Sequence, residues 1–575
     1  MSERSSLVGW AACLVLALLA APGRGTELTQ YVRAYDGASL ATDIYLPNGN
    51  GPWPVVLTRT PYNRKDPGHY STWCRTLAQH GYACVAQDCR GRFDSGGQDT
   101  VFRDDAADGR ATLEWIAQQR WCNGSIASAG GSAMGITGYA MTPGAPAALK
   151  CLVAPMATPD IYHHVFSQGG AVRWELISNW LAGQGDSSLL EGFLTHRLED
   201  DWWDALDFVP EDEPIAVKAL HFGGWYDMYI QGPLDGFSHY REHGDENARD
   251  GQHVVIGPWY HFSLATGWMA QTYPGDRNTG QLTFPDNAFP GGWPFGGDPW
   301  ELLLDWLGYC LCDEPTAASS WPPVRVYLMG AVGESGAPGN VWVDLQDWPP
   351  AATDVPYYLS AQGELLKTPP PGGELTLEID PLHPVPTLGG ANHFGDLVVD
   401  GRPMGFGPYD QRPVEARDDV LTFTSPVLAR PVTVMGRVRL RTWLRPDTRD
   451  LDISVRLTDV YPDGRSMLVL DGIQRARMRC GDDRECFLEP GVPVEIDVDL
   501  WSTAIVFNAG HRIRVDVAGS NSPRFEVNPN DGGNLSTGTP IVARPALLFG
   551  ASYPTSLVLP EVPLPSPVRR RLRSQ

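Results

Sequence analysis

The stretch SIASAGGSAMGITGYA, residues 125–140, places Ser132 between a strand pattern and a helix pattern. A serine there can be a nucleophile at a sharp strand-to-helix turn, which needs glycines because the strand and the helix nearly touch. Gly130 and Gly131 precede Ser132, but Met134 stands two residues after it, where glycine is usual, and Gly135 comes one residue later. The spacing alone therefore does not separate a nucleophile from a polar loop residue.

Around this stretch, strand and helix patterns alternate. The segments WPVVLTRT (53–60), YACVAQD (82–88), LKCLVAP (149–155) and HVVIG (253–257) are continuous apolar strands, and helical patterns separate them. Alternation of this kind predicts a parallel sheet covered by helices on both faces, with functional residues at the carboxyl ends of the strands.

Changes of composition divide the chain into predicted segments. The α/β pattern occupies residues 26–157 and 214–318, and residues 158–213 between them are rich in tryptophan and amphipathic, which predicts a helical lid. Residues 319–575 carry short alternating strands separated by Pro, Gly and Asp. That pattern predicts a second domain, an all-β, jelly-roll-like sandwich.

Residues 1–25 resemble a secretory signal. Arg4 precedes an apolar run from Leu7 to Ala21, which is shorter than the roughly 20 apolar residues of a membrane span and leads into small residues. We therefore expect an exported protein, periplasmic or secreted, with an N-terminal membrane anchor as the alternative. The formal net charge of −24 disfavours nucleic acid and anionic membranes as partners.

Ten cysteines occur, and Cys13 would leave with the signal, so at least one of the other nine stays unpaired within the chain. Cys480 and Cys486 flank a turn-like segment and could form a disulfide, whereas Cys84 and Cys89 are expected to be buried thiols. No metal or organic cofactor is expected. Three aspartates, Asp447, Asp450 and Asp452, lack the spacing of a calcium loop and are interpreted as solvated strand ends.

A catalytic serine needs a base and an acid that orients the base, and in folds of this kind the order along the chain is serine, acid, histidine. Asp227 ends the apolar strand pattern of HFGGWYD (221–227), and His261 ends that of VVIGPWYH (254–261). Other histidines compete for the role of the base: His163, His164, His221, His239 and His253. We favour His261 because it follows a strand end directly, beyond a Gly-Pro-Trp turn.

Several motifs together resemble one family. RTPYNR (59–64), VAQDCRGRFDSGG (85–97), GGWYD (223–227) and GPWYH (257–261) are similar, in order and spacing, to the cocaine esterase and X-prolyl dipeptidyl peptidase family of serine hydrolases. The likeness continues into the second domain through DPLHPVPTLGG (380–390) and AGHRIRVDVAGSNSPRFEVN (509–528). The resemblance implies an α/β-hydrolase core with a lid and a C-terminal jelly-roll-like domain.

The resemblance also assigns roles. The family's nucleophile falls on Ser132, its acid on Asp227 and its base on His261, and its oxyanion hole falls on the Tyr62 hydroxyl and the Ala133 N–H. The family's elbow carries tyrosine where this chain has Ala133, although Gly130 and Gly135 match it. Trp180 and Tyr229 fall where relatives place aromatic walls of the substrate pocket, and packing alone is the alternative for Trp180.

The preferred function is hydrolysis of acyl esters through an acyl-enzyme, and the alternatives come from within and outside the family. An X-prolyl dipeptidyl aminopeptidase must bind a free amine, for which the lid offers Asp200, Asp201 and Asp204. An amino-acid ester hydrolase is disfavoured because YDMYIQG (226–232) lacks the Glu-Asp pair expected after the acid. A non-catalytic protein that binds ligand through its sandwich is the third hypothesis. The sequence predicts a small ester or short peptide as substrate and says nothing of oligomeric state.

Overall fold

The computed structural model of the chain describes residues 26–66, 70–185, 187–210, 213–261, 279–285, 299–399 and 401–567. The predicted signal, residues 1–25, lies outside the described residues. Within them, no helix combines the length and the apolar character needed to cross a membrane.

Ten strands form one sheet at the centre of the first half. The order across the sheet is β1-β2-β4-β3-β5-β6-β9-β10-β11-β12, and the pairings from β4 to β11 are parallel. Its middle strands are buried along nearly their whole length, because helices cover both faces. The strands, with the short hairpin β7-β8 outside this sheet, are β1 Glu27–Arg33, β2 Ser39–Tyr45, β3 Trp53–Thr60, β4 Ala83–Asp88, β5 Cys122–Ala129, β6 Leu149–Pro155, β7 Ser167–Gln168, β8 Ala171–Val172, β9 Lys218–Tyr226, β10 Gln252–Tyr260, β11 Val324–Leu328 and β12 Val341–Leu345.

The described helices follow the predicted alternation. α3 has all eight residues buried, as a helix at the centre of the fold requires. The helices are α1 Tyr70–Gln79, α2 Asp105–Ala117, α3 Ala133–Ala140, α4 Trp174–Gly183, α5 Leu189–Thr195, α6 Gln231–His243, α7 Glu246–Arg249, α8 Pro299–Leu311 and α9 Arg412–Glu415. A π-helical turn spans Tyr162–Phe166, and 3-10 turns span Asp204–Leu206, Ala317–Ser320 and Ala476–Met478.

The second half is all-β. One sheet has the order β14-β13-β25-β19-β24-β15, with β22 also paired to β19, and the other has the order β18-β23-β20-β21. The predicted α/β domain followed by an all-β sandwich is thereby confirmed. The strands, with β16-β17 as a separate hairpin, are β13 Thr353–Leu359, β14 Leu365–Leu366, β15 Gly373–Thr376, β16 Val398–Val399, β17 Arg402–Pro403, β18 Leu421–Thr424, β19 Val432–Arg445, β20 Asp452–Val460, β21 Ser466–Arg475, β22 Val494–Phe507, β23 Arg512–Ala518, β24 Ala546–Phe549 and β25 Ser556–Glu561.

The predicted boundary between residues 318 and 319 assigns β11 and β12 to the sandwich, whereas both strands extend the core sheet. β11 pairs in parallel with β10, and β12 then pairs antiparallel with β11. Alternating apolar residues are typical of either domain, so the pattern could not show which sheet the strands would join.

The predicted lid, residues 158–213, contacts the sandwich through largely buried ion pairs. Arg197 of the lid contacts Glu526 through two hydrogen bonds of 2.8 Å, and Glu526 also accepts from Arg475. Arg475 in turn pairs with Asp452, and Arg477 pairs with Asp450. The interpretation of Asp450 and Asp452 as solvated strand ends is therefore wrong, because both carboxylates are buried against arginines that lie far from them in sequence.

Two disulfides are present among the described cysteines. Cys480 pairs with Cys486, as predicted, and Cys74 pairs with Cys84. The expectation that Cys84 is a free thiol is wrong because α1 packs on β4 and brings the two Cα atoms to 5.1 Å. Cys89 is buried and free, as expected.

Candidate active site

Ser132 lies in a sharp turn between β5 and α3, and its backbone is strained, with φ 57° and ψ −128°. A Cβ at position 130 would lie 2.5 Å from the Cβ of Met134, and one at position 135 would lie 2.4 Å from the Cβ of Ala157. Both positions therefore require glycine. Gly135, one residue later than the usual pattern places it, is the glycine that lets the helix approach the sheet.

Met134 fits the turn because it faces the protein interior. Its side chain is buried, and its sulfur accepts a hydrogen bond of 3.3 Å from the Tyr70 hydroxyl. Tyr70 also accepts one from Thr60, at the end of β3. Glycine is thus not needed two residues after Ser132, since the Met134 side chain packs against Tyr70.

Ser132, His261 and Asp227 form a continuous hydrogen-bonded chain. His261 Nδ1 lies 2.6 Å from Asp227 Oδ2, and His261 Nε2 lies 3.0 Å from Ser132 Oγ. An ionised carboxylate only accepts hydrogen bonds, so Nδ1 carries the proton and Nε2 is left to accept from the serine. The arrangement can remove the serine proton as the hydroxyl attacks a carbonyl carbon.

Asp227 and His261 reach Ser132 because β9 and β10 end near it in the parallel sheet. Asp227 is fully buried, and its second oxygen accepts a hydrogen bond of 2.7 Å from the backbone N–H of Tyr229. The Tyr229 ring meets the imidazole of His261 edge to face, with centroids 5.6 Å apart. Backbone and ring together hold the acid and the base in one orientation.

Tyr62 and Ala133 line the same pocket as Ser132. The Tyr62 hydroxyl contacts the Ser132 side chain and accepts a hydrogen bond of 2.9 Å from Trp180 Nε1. An indole N–H can only donate, so the Tyr62 hydroxyl hydrogen stays available to another acceptor. Burial raises the pKa of Tyr62 to about 12, which keeps the hydroxyl protonated at neutral pH. The Ala133 N–H opens α3 and has no earlier helical carbonyl as partner.

A narrow apolar pocket opens beside Ser132. Trp180 and Tyr229, the two predicted walls, both line it. The lid contributes five further lining residues, which are Ile161, Val165, Leu176, Ile177 and Phe193. The pocket's free volume is about 10 Å³, so a bulky group enters only if lining side chains shift. Among the described lining residues there is no carboxylate.

Sequence reasoning missed the loop that completes this pocket. Val101 and Phe102 both have positive φ, at 48° and 67°, which is rare for a β-branched and an aromatic residue. Phe102 stacks on Trp180 with centroids 5.8 Å apart. Backbone strain of this kind tends to occur at functional sites, but it leaves no mark in the sequence pattern.

The sandwich also reaches the site, through His393. Its ring lies edge to face with His261, with centroids 5.3 Å apart. The His393 backbone N–H donates to the buried Glu175 carboxylate of the lid. Burial lowers the pKa of His393 to about 2, so the ring stays neutral beside His261. No periodic signal in the sequence joins residue 393 to residue 261.

The competing residues lie elsewhere. His164 hydrogen-bonds Thr158, His221 hydrogen-bonds Tyr139, and His253 hydrogen-bonds the carbonyl of Pro322. The three lid aspartates proposed for amine binding are exposed, and Asp200 pairs with His196. None of these groups is among the described residues that line the pocket.

Comparison with known families and proteins agrees with this geometry. The profile of the X-Pro dipeptidyl-peptidase (S15) family matches residues 36–189 and 177–263. That of the X-Pro dipeptidyl-peptidase C-terminal non-catalytic domain matches residues 316–558. The cocaine esterase of Rhodococcus sp. (strain MB1 Bresler) is 30% identical, over 91% of this chain and 96% of its own.

Two solved structures share the whole architecture. An aminopeptidase from a marine sediment Thaumarchaeota archaeon covers 95% of this chain and 99% of its own, with a TM-score of 0.78 and 23% identity. An α-amino acid ester hydrolase covers 96% of this chain and 100% of its own chain, also with a TM-score of 0.78 and 23% identity. At this identity the two structures support the fold. The two profiles and the cocaine esterase establish that the chain is an enzyme of the cocaine esterase and X-Pro dipeptidyl-peptidase family of serine hydrolases.

Proposed function

We propose that the protein hydrolyses carboxylic acyl esters through a covalent acyl-enzyme on Ser132, with His261 as general base and acid and Asp227 as the group that orients it. The observation that carries the proposal is the hydrogen-bonded chain from Asp227 through His261 to Ser132 at a strained elbow. It lies beside a pocket whose described lining is almost entirely apolar.

In the first half-reaction, Ser132 Oγ attacks the ester carbonyl carbon while His261 takes its proton. The Tyr62 hydroxyl and the Ala133 N–H stabilise the negative oxygen of the tetrahedral intermediate. His261 then donates the proton to the leaving alkoxide, and the alcohol departs. In the second half-reaction, a water molecule loses a proton to His261, attacks the acyl-enzyme and releases the acid.

An ester substrate is favoured over an X-Pro dipeptide because the peptide substrate carries a positively charged amine that must be bound. An X-prolyl dipeptidyl aminopeptidase must hold a protonated α-amine close to Ser132, and a buried cation needs an anionic partner. The described pocket lining contains no carboxylate, and the lid aspartates face solvent. An uncharged acyl group requires only apolar contact.

Initial rates on p-nitrophenyl acetate, butyrate and benzoate, and on X-Pro p-nitroanilides, test this proposal. We expect turnover of the esters, with the benzoate limited by the narrow pocket, and no turnover of the anilides. Cleavage of an anilide that depends on a free amino terminus would instead establish the aminopeptidase. Lack of turnover on the whole panel, with no labelling by a fluorophosphonate, would contradict hydrolysis at this site.

Tyr62→Phe is expected to lower kcat for ester hydrolysis by about 10²- to 10³-fold, because one of two oxyanion donors is lost while the ring stays in place. Because the hydroxyl acts mainly on the transition state, KM should change little. Steady-state kinetics on p-nitrophenyl butyrate measure both constants. Tyr31→Phe, at an exposed tyrosine on β1, is the control. A change of kcat smaller than about threefold would show that the Tyr62 hydroxyl does not act in the oxyanion hole.

A further inference from the structure

A cluster of metal-ligating side chains lies away from the catalytic residues, where the lid meets the sandwich. It consists of His163, Glu199 and Asp482, and one ligand atom from each lies within 4.8 Å of the others. His163 Nε2 lies 3.4 Å from Asp482 Oδ2 and 3.9 Å from Glu199 Oε2. Ligands about 2.1 Å from a tetrahedral zinc ion lie about 3.4 Å from one another, so these atoms need only small movements to share one ion.

The histidine is already oriented for such a role. His163 Nδ1 lies 2.7 Å from Asp160 Oδ2, and the other Asp160 oxygen accepts a 2.9 Å hydrogen bond from the His163 backbone N–H. With Nδ1 engaged by a carboxylate, Nε2 points at Asp482 and Glu199. Metal-binding histidines are commonly held in this way, by a carboxylate on the nitrogen opposite the metal.

The backbone also places the two carboxylates together. The Glu199 N–H donates to the Asp482 carbonyl at 2.8 Å, which fixes the lid segment against the sandwich loop. The Cys480–Cys486 disulfide closes that loop around Asp482. A constrained loop loses less conformational freedom when its side chain binds an ion.

Charge and access favour a cation. The described charged groups near the Glu199 carboxylate include three acids, Asp160, Asp482 and Asp207, and one histidine, His163. The cluster opens onto a polar cleft of about 510 Å³ that Asp160, His163 and Asp482 help to line, so an ion can enter from solvent.

We propose that His163, Glu199 and Asp482 bind a divalent transition-metal cation, of the Zn²⁺ class, that joins the lid to the sandwich. One imidazole and two carboxylates suit Zn²⁺, whereas Ca²⁺ takes six to eight oxygens. Solvent completes the coordination. Ile161 and Val165, each two residues from His163, line the apolar pocket beside Ser132. The ion would therefore stabilise one wall of that pocket.

Metal analysis after equilibrium dialysis of the untagged full chain against micromolar Zn²⁺ tests the site. We expect about one zinc ion per chain, removable by EDTA, and a rise in Tm of about 2–4 °C on zinc addition. His163→Gln and Asp482→Asn should each lower zinc affinity at least about 100-fold, and Asp160→Asn about 10- to 100-fold. His196→Gln is the control, because His196 is another lid histidine that hydrogen-bonds an aspartate, and this change should leave the zinc affinity unchanged.

Failure of the wild-type chain to retain zinc would overturn the proposal whatever the variants do. So would zinc that persists unchanged in His163→Gln and Asp482→Asn, since it would then belong to another site, such as the partly exposed thiols of Cys122 and Cys312. Because the readout is bound metal, the result is independent of which ester the enzyme hydrolyses.

Discussion

Ser132→Ala is expected to lower kcat for ester hydrolysis by about 10⁶-fold, leaving only the acceleration that the oxyanion hole and binding provide. The serine would supply the oxygen that forms the acyl-enzyme, and its Oγ lies 3.0 Å from His261 Nε2. The measurement is the rate on p-nitrophenyl butyrate, together with mass spectrometry after fluorophosphonate treatment. Wild-type protein should gain one phosphonyl group on Ser132.

The substitution should leave the fold intact. Alanine has the same backbone restrictions as serine at φ 57°, so Tm should stay within about 2 °C of the wild type. Ser125→Ala, on β5 of the same chain segment, is the matched control and should keep full activity. Normal turnover or labelling in Ser132→Ala would show that another residue is the nucleophile.

Asp227→Asn is expected to lower kcat by about 10⁴-fold while preserving the fold. An asparagine amide presents an N–H where the carboxylate presents Oδ2, so His261 would turn Nδ1 into an acceptor and place its proton on Nε2. That tautomer cannot accept the Ser132 proton. The backbone N–H of Tyr229 can still donate to the amide oxygen, which keeps the loop in place.

Asp200→Asn provides the control, because Asp200 pairs with His196 in the exposed part of the lid and should be neutral in activity. Thermal unfolding of both variants separates catalysis from stability. A fall of less than about tenfold in Asp227→Asn would mean that the carboxylate does not set the tautomer of the base. If Asp227→Asn only destabilised the fold, its Tm would fall while kcat per folded molecule stayed unchanged.

The sequence predicted much of this site because strand ends in a parallel sheet meet at one edge. Asp227 and His261 were selected as residues that follow apolar strands, and the structure places both within hydrogen-bond distance in one chain with Ser132. The position of Gly135 departs from the usual elbow spacing, and the structure explains it, because a Cβ at position 135 would lie 2.4 Å from the Cβ of Ala157. The predicted roles of Tyr62 and Ala133 rest on family resemblance, and both residues line the pocket beside Ser132.

Other features depended on contacts between distant segments. The Cys74–Cys84 disulfide requires α1 to pack on β4. The burial of Asp450 and Asp452 requires Arg475, which lies opposite Asp452 on β21, and Arg477, just after that strand. β11 and β12 follow the predicted boundary at residue 318 and nevertheless pair with the core sheet. The aspartates of the lid turned out to face solvent, which weakens the aminopeptidase alternative.

By itself, the sequence determined the α/β-then-β order and predicted Asp227 and His261 from the ends of apolar strands, because apolar periodicity is a local property of the chain. The prediction that Ser132 is the nucleophile rested on family resemblance. Only the tertiary structure decided which lid and loop residues line the apolar pocket beside Ser132. It also places His393 against His261, and His163 and Glu199 of the lid near Asp482 of the sandwich. These groups lie up to several hundred residues apart, and only packing between domains brings them together.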